Sequence, residues 1–310
     1  MSDAQSIATD DAAAVRRRDE RRVIVQISDV HVVTEGLLHG LVDPLDNLRQ
    51  ILDAVARGPV PDLLLFTGDL ADKGEPVAYE RFRATVELAA SRIGVPVLYM
   101  PGNHDQRAPF RQHLLDGDAT DEVIDQVRCI GDLRIVTLDS TVPDEAHGEL
   151  EASQLEWLAA QLETRAPLGT IVALHHPPIP GPVEFLDRIM LRNARDLGAV
   201  ITGTDVVMVL AGHTHHASAG VLAGVPVWVA TATAYQMDVL SSNRAMRGLP
   251  GLGFSRIDVT PSGAIATYLP VLATDRPVYE VDFATLQRFL DHEAPLEEVE
   301  AAFGVPTGRG

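Results

Sequence analysis

From Val23 onward the chain alternates short apolar runs with longer amphipathic stretches. Val23 to Ile27, Leu63 to Thr67 and Val97 to Met100 are nearly unbroken apolar runs, the pattern of strands buried on both faces. Between the first two, Leu45, Leu48, Ile51, Leu52 and Val55 recur at helical spacing after Pro44. Pro76 opens a second helix carrying Tyr79, Phe82, Val86 and Leu88 to Ala90. Strand, helix, strand, helix, strand predicts βαβ units and a parallel sheet. Val127 to Ile130 and Leu133 to Leu138 add strands. Ser153 is expected to cap a helix holding Leu155, Trp157, Leu158 and Leu162, and Thr170 to Leu174 and Val206 to Leu210 return to the sheet.

After Leu210 the rhythm changes. Gly220 to Leu222, Val225 to Ala230, Phe254 to Val259 and Ile265 to Leu269 read as strands without long helices between them, and Ala223-Gly224 and Ser262-Gly263 suit hairpin turns. A βα-rich first half therefore meets a second, more antiparallel sheet. The expected fold class is α/β, two packed mixed sheets flanked by helices. Three regions follow: a disordered leader over 1–22 containing Arg16, Arg17, Arg18, Arg21 and Arg22, a catalytic domain over 23–275, and a helical extension over 276–310. In the extension Phe283, Leu286, Phe289 and Leu290 form an apolar stripe, with a second short helix from Leu296 to Phe303 after Pro295. The stripe is expected to dock onto the body or onto a homodimer partner rather than a membrane, because the polar face is acidic.

Composition narrows this picture. The 310 residues are 46% hydrophobic, enough to bury a large core. No apolar run approaches the roughly 18 residues of a membrane span, and the polar, acidic start has no signal-like apolar region, so a cytoplasmic protein is expected. Cys129 is the single cysteine, which excludes a disulfide framework and a cysteine zinc cage; its strand context predicts an inert core position. A formal net charge of −19 argues against binding nucleic-acid polymers. It is compatible with a small anionic substrate if bound dications invert the local field.

The candidate chemistry sits where apolar runs end. Asp29-Val30-His31, Gly68-Asp69, Gly102-Asn103-His104-Asp105, His175-His176-Pro177 and Gly212-His213-Thr214-His215 each follow a predicted strand, as if parallel strands brought their C-terminal ends to one spot. Asp, Asn and His are ligands suited to a pair of divalent cations. Asp29 and His31, one residue apart, can chelate one ion, and Asp69 can bridge two through its two oxygens. Asn103 adds a neutral oxygen, while His213 and His215 can reach different ions. The expected sets are Asp29, His31, Asp69 and His215 for one ion, and Asp69, Asn103, His175 and His213 for the other.

In that order the segments read Asp-x-His, Gly-Asp-x-x-Asp, Gly-Asn-His-Asp, His-x-Pro and Gly-His-x-His, a series that resembles the calcineurin-like metallophosphoesterase superfamily. Phe66 to Pro76 and Leu174 to Pro180 resemble more closely the bacterial class III cyclic-nucleotide phosphodiesterases. The similarity covers about Val23 to Pro270. It implies a four-layer α/β/β/α sandwich, two Mn, Fe or Zn ions, and hydrolysis of 3′,5′-cyclic AMP. It also implies that His175, the His of His-x-Pro, is the ligand rather than His176. His104 would protonate the leaving oxygen, held by an imidazole hydrogen bond from Asp72, while Asp105 braces the loop. Asn103, His104, His147 and His215 are candidate substrate contacts. His39, His113 and His292 have no motif context and are expected at the surface, and His216 outside the ligand shell. A broad or glycerophosphodiester phosphodiesterase is the alternative enzyme, and a non-catalytic metal- or nucleotide-sensing protein the alternative class.

Overall fold

Strand β1 (Arg22–Ile27) starts the first sheet, in a computed structural model that describes residues 21–240, 246–271 and 281–291. The βαβ reading continues as predicted with helix α1 (Pro44–Ala56), β2 (Leu63–Thr67), α2 (Pro76–Ile93) and β3 (Val97–Met100). Asp43 caps α1 by accepting the Leu45 and Asp46 backbone N–H groups, with Pro44 at the first helical position. β1, β2 and β3 are parallel neighbours, so their C-terminal ends lie on one rim. A short helix α3 (Arg107–Leu114) follows, then β4 (Gln126–Ile130), β5 (Leu133–Leu138), α4 (Ala152–Leu162), β6 (Thr170–Leu174), α5 (Ala194–Ile201) and β7 (Val206–Ala211).

The final strands divide differently from the expectation of one antiparallel second sheet. β8 (Ser218–Leu222) and β9 (Val225–Val229) extend the second sheet, whose order is β4-β5-β6-β7-β9-β8. β10 (Gln236–Met237) and β11 (Gly248–Leu249) pair with each other. β12 (Gly253–Thr260) and β13 (Gly263–Pro270) return to the first sheet, ordered β13-β12-β1-β2-β3. The second sheet thus has a parallel centre and antiparallel flanks, whereas the first is parallel through β1-β2-β3 to one edge and antiparallel only on the β12-β13 side. The cause is the free edge of β1: β12 is largely buried and closes that edge antiparallel, with Ile24 opposite Ile257. The Ala223-Gly224 hairpin is present, both residues having positive φ (49° and 87°), as a type I′ turn requires.

Strand alternation sorts the core into layers. Ile24, Leu63 and Leu65 face the second sheet and join Ile135, Val172 and Val209, with Leu158 and Leu162 of α4 and Leu197 and Ile201 of α5 completing that cluster. Val25, Leu64 and Phe66 point the other way and pack with α1, α2 and α3 through Leu48, Phe82 and Phe110. The result is the α/β/β/α sandwich.

Local expectations fail at several points. β4 forms, but it is the outer strand of its sheet and Cys129 is exposed, not core. The cap of helix α4 lies two residues before the predicted one. Glu151 caps it, with Gln154 Oε1 accepting the Glu151 N–H at 2.8 Å, and Ser153 lies inside the helix. Arg21 and Arg22 belong to the folded body: Arg22 opens β1 and Arg21 pairs with Asp258. Residues 1–20 and the predicted 296–303 helix lie outside the described residues. The chain divides into two compact units, one up to Val271 and one from Leu272. In the second, α6 (Phe283–Leu290) is a short helix with Phe283 and Leu290 exposed. Among the described residues no helix is long and apolar enough to cross a membrane.

At the rim where β5 to β7 begin, Arg134 donates to both oxygens of Asp205, which also accept the Thr170 hydroxyl and the Ala166 N–H. Removing one partner leaves a buried charge alone. Asp205→Ala should therefore cost about 3–5 kcal/mol in urea denaturation, while an apolar replacement of both residues should recover most of it. A loss under about 1 kcal/mol for the single variant would show that the pair is not what ties these strand starts together.

Candidate metal centre

Every candidate ligand lies at the C-terminal rim of a parallel strand. Asp29 and His31 follow β1, Asp69 follows β2, Asn103 follows β3, His175 follows β6, and His213 and His215 follow β7. The first four come from one sheet and the last three from the other, so the site straddles the seam. Five of them leave the strand in the left-handed region: Asp29 (φ 53°), His31 (52°), Asp69 (51°), His213 (73°) and His215 (55°). Each such non-glycine residue costs about 1–3 kcal/mol, and a cluster of them marks a site that the surroundings hold against local preference.

The approach of the two sheets is close enough to forbid side chains at two motif glycines. A Cβ at Gly212 would lie 2.8 Å from Asp29 Oδ2, and one at Gly102 would lie 2.8 Å from His175 Cε1. Cross-sheet hydrogen bonds fix the seam: Gln26 Nε2 donates to the Ala211 carbonyl at 2.9 Å, and the His213 N–H donates to the Asp29 carboxylate at 3.0 Å.

Two ligand clusters result. Asp29, His31, Asp69 and His215 place one ligand atom each within 4.8 Å of one another, and Asp69, His175 and His213 do the same. Asn103 contributes a buried Oδ1 without a hydrogen-bond partner, and His175 Nε2, 3.3 Å from Asp69 Oδ2, and His213 Nε2 also lack one. Three buried, unsatisfied donor atoms of suitable chemistry fit a cation beside Asp69. The imidazoles are oriented for this role. His175 Nδ1–H donates to the Thr67 carbonyl at 2.8 Å and His215 Nδ1–H to the Tyr235 carbonyl at 3.1 Å. His31 Nδ1–H donates to Asp72 Oδ1 at 3.3 Å. In each of these rings Nε2 faces the cluster and is the atom that would offer a lone pair once unprotonated. His31 Nε2 and His215 Nε2 face each other 3.1 Å apart.

Two details differ from expectation. Asp69 turns a single oxygen to both clusters: Oδ2 is 3.5 Å from His31 Nε2 and 3.3 Å from His175 Nε2, while Oδ1 accepts the His104 backbone N–H at 2.9 Å. Oδ2 is thus the oxygen common to both ligand clusters, and Oδ1 is taken by the backbone. The Asp72 carboxylate holds His31, not His104, whose Nδ1–H donates instead to the Asp72 main-chain carbonyl at 2.7 Å. Four residues separate Asp72 from the end of β2, and its carbonyl rather than its carboxylate faces His104.

Electrostatics follow from burial. Burial pushes the Asp29 carboxyl up to about 6. Burial acts on Asp69 in the same sense, yet the His175 imidazole beside it wins and holds Asp69 well below the carboxylate range. For His175 burial works downward, but the Asp69 and Asp29 carboxylates raise it to about 9. His31 is raised against burial by Asp72, Asp69 and Asp29. Burial drives His213 down to about 3 and His215 well below its usual value. His176 is likewise held neutral by burial, with Nδ1 2.8 Å from Ser140 Oγ, and lies outside both clusters.

The remaining candidates surround this centre. His104 is exposed at the lip, its ring 4.6 Å from that of His31. Asp105 braces the floor, accepting the Leu70, Ala71 and Gly102 N–H groups and the Tyr79 hydroxyl. His147 is buried, with Nδ1 3.3 Å from Glu145 Oε2. His216 Nδ1–H donates to the Thr214 carbonyl, and His113 lies 3.3 Å from Glu80. Two residues stand beside the centre outside the motifs: Tyr235, which sequence reasoning missed, its ring 4.4 Å from that of His215, and His39, exposed as expected but 5.5 Å from Tyr235. Neither belongs to a motif, and only the fold brings their loops together.

Known proteins are similar to this chain in sequence and in fold. A sequence model described as calcineurin-like phosphoesterase matches residues 22–217. A cAMP/cGMP dual specificity phosphodiesterase from Mycobacterium tuberculosis is 43% identical over 252 residues, 80% of this chain and 79% of that protein. A protein named "Probable glycerophosphodiester phosphodiesterase" from Arcobacter nitrofigilis is 31% identical over 221 residues, 69% of this chain and 80% of its own. The solved structure of a dimetal phosphatase from Danio rerio has the same fold, with a TM-score of 0.60 at 15% identity over 81% of this chain and 96% of that one. With its ordered motifs gathered on one rim and this breadth of similarity, the chain belongs to the calcineurin-like phosphoesterase family.

Proposed function

We propose that this protein is a phosphodiesterase that opens 3′,5′-cyclic nucleotides, cyclic AMP foremost, to nucleoside monophosphates. The observation that carries the reading is the pair of ligand clusters sharing Asp69 Oδ2, with His104 at their lip. Asp29, His31, Asp69 and His215 would hold one ion, and Asp69, Asn103, His175 and His213 the other. Nitrogen and oxygen donors in this mixture suit Mn, Fe or Zn. Such a pair, when bound, supplies charge neutralisation at the phosphoryl oxygens and a lowered pKa for the attacking water. The relative with higher identity, named for cAMP and cGMP, supports a cyclic-nucleotide substrate over a glycerophosphodiester.

The chain's own residues supply the rest. Asp72 acts through two atoms: its carboxylate orients His31, and its carbonyl fixes the His104 ring by Nδ1. That leaves His104 Nε2 as the atom to pass a proton to the departing ribose oxygen. The Asp69 Oδ1 bond to the His104 N–H links this donor rigidly to the shared ligand. Asn103 neighbours both and would hold a phosphoryl oxygen or ion without adding charge.

Steady-state kinetics on cyclic nucleotides, linear diesters and monoesters, with metal content measured on the same sample, test the reading; kcat/KM for cyclic AMP far below that for other diesters would overturn it. Asp69→Ala should abolish both metal content and turnover, and a variant retaining two ions by elemental analysis would refute the sharing of Asp69. His104→Ala should keep its metals yet lose rate, by about 10²–10⁴-fold on cyclic nucleotides and far less on nitrophenyl esters. Equal losses across leaving groups would remove its acid role.

Metal uptake should also release protons. His175, held up at about 9 by the carboxylates, is charged at neutral pH without metal and must lose that proton to ligate. Apparent affinity should therefore fall roughly tenfold per pH unit below about 9 for that one proton. Calorimetric titration in buffers of different ionisation enthalpy reads the number directly, and no buffer dependence at pH 7 would contradict the charge state described.

A further inference from the structure

A wall of rings stands beside the Asp29, His31, Asp69 and His215 cluster, and neither ligation nor proton donation uses it. The Tyr235 ring lies 4.4 Å from His215, 6.4 Å from His31 and 5.5 Å from His39, which meets it at 64°. His39 is presented by a tight turn. The Leu38 N–H donates to the Val42 carbonyl, while the Leu41 and Val42 N–H groups donate back to the Leu38 carbonyl. At its tip His39 adopts φ 50°, the same left-handed conformation as the ligand residues. Tyr235 is fixed from the opposite side. Its carbonyl accepts the His215 Nδ1–H, the preceding Ala234 N–H donates to the Asp29 carbonyl, and Gly248 lies so close that a Cβ would sit 2.7 Å from the Tyr235 ring.

The surface of this wall has a definite chemistry. Tyr235 is partly open and His39 is exposed, as are Leu37 and Leu41 on the same turn. Among the described residues, the guanidinium groups of Arg81 and Arg247 are engaged elsewhere, with the Val33 and Thr34 carbonyls and with Asp238. Rings and methyl groups make a poor receptor for a second phosphate or for the hydroxyls of glycerol. They suit a planar heteroaromatic ring, which stacks on aromatic side chains. The position is also right. His104, the group set to protonate the leaving oxygen, and Tyr235 both neighbour the His31 ring, at 4.6 and 6.4 Å, so one ribose can join a phosphate at the centre to a base on the wall.

We infer that Tyr235 and His39 form a base-stacking subsite, which makes the enzyme prefer diesters bearing a nucleobase over aliphatic ones. This rests on the cyclic-nucleotide reading above and assigns its specificity to two residues outside the ligand motifs.

The test uses the metal-loaded full chain and the variants Tyr235→Ala, Tyr235→Phe and His39→Ala, with metal content measured for each. Tyr235→Ala should raise both KM for cyclic AMP and Kd for AMP by about tenfold or more, a stacking contact's worth. Inhibition by inorganic phosphate, which lacks a ring, and metal content should stay within about twofold. Tyr235→Phe should behave as the parent, and His39→Ala should shift the nucleotide constants in the same direction by less. Loss in Tyr235→Phe equal to that in Tyr235→Ala would overturn stacking in favour of the hydroxyl. A parallel loss of phosphate inhibition would reduce Tyr235 to a support for His215. If the parent fails to hydrolyse cyclic AMP while AMP binding still weakens in Tyr235→Ala, the subsite stands and the reaction assignment falls. If the parent hydrolyses cyclic AMP and Tyr235→Ala binds AMP unchanged, the reverse holds.

Discussion

Two carboxylates, Asp29 and Asp69, are buried within a few ångströms of each other, and the rest of the centre answers the need to balance their charge. Burial alone would protonate both. Asp29 rises to about 6, while Asp69 stays ionised because His175 beside it holds a proton. His31, raised by the same carboxylates and by Asp72, is the second compensating group, whereas His213 and His215 are kept neutral by burial. Without metal, protons on imidazoles therefore stand where cations would stand. The same atoms serve both states, because each Nδ1 is held by a carbonyl or a carboxylate and each Nε2 points inward.

This balance has to be built by the backbone. Parallel β1 to β3 and β6 to β7 end on one rim, and the chain turns there through five left-handed non-glycine residues. Strain of about 1–3 kcal/mol at each position persists only because hydrogen bonds across the seam over-determine the loops. Gly102 and Gly212 allow the sheets to approach until the His213 N–H reaches the Asp29 carboxylate. Ligands from one sheet alone would give half a site. The antiparallel flanks matter for the same reason: β12 closes the edge of β1, and the segment after β9 carries Thr233 and Ala234 N–H groups onto the Ser28 and Asp29 carbonyls.

What could be read from the sequence was what is local. Asp29, His31, Asp69, Asn103, His175, His213 and His215 each sit just past an apolar run, so strand period and motif spacing alone bring them to one rim. The grouping into two clusters required only that parallel order. Finer detail depends on which atom of a residue faces inward, and sequence carries no signal for it. Asp69 uses one oxygen because the His104 N–H occupies the other, and Asp72 divides its carboxylate and carbonyl between two histidines. Cys129 was misplaced because a strand motif does not say whether its strand is central or outermost. The return of β12 to β1 is a contact across more than 200 residues, and His39 and Tyr235 meet across nearly as many; neither leaves a periodic trace.

The strongly acidic surface then acquires a role beside the centre. A net charge of −19 repels every anion in proportion to that anion's charge, so a polymer of phosphates is opposed far more than a single diester. A cyclic nucleotide carries one negative charge at its phosphate, and cations held between the sheets would offset that locally. Selectivity by field can go no further, since all monoanionic diesters look alike at long range. Discrimination among them has to come from short-range contact with the ester groups. The exposed rings and methyl groups of Tyr235, His39, Leu37 and Leu41 beside the ligand cluster offer such contact without adding charge. On the proposed reading, field and wall divide the work: the first disfavours polyanions, and the second sorts the small diesters by what they carry next to phosphorus.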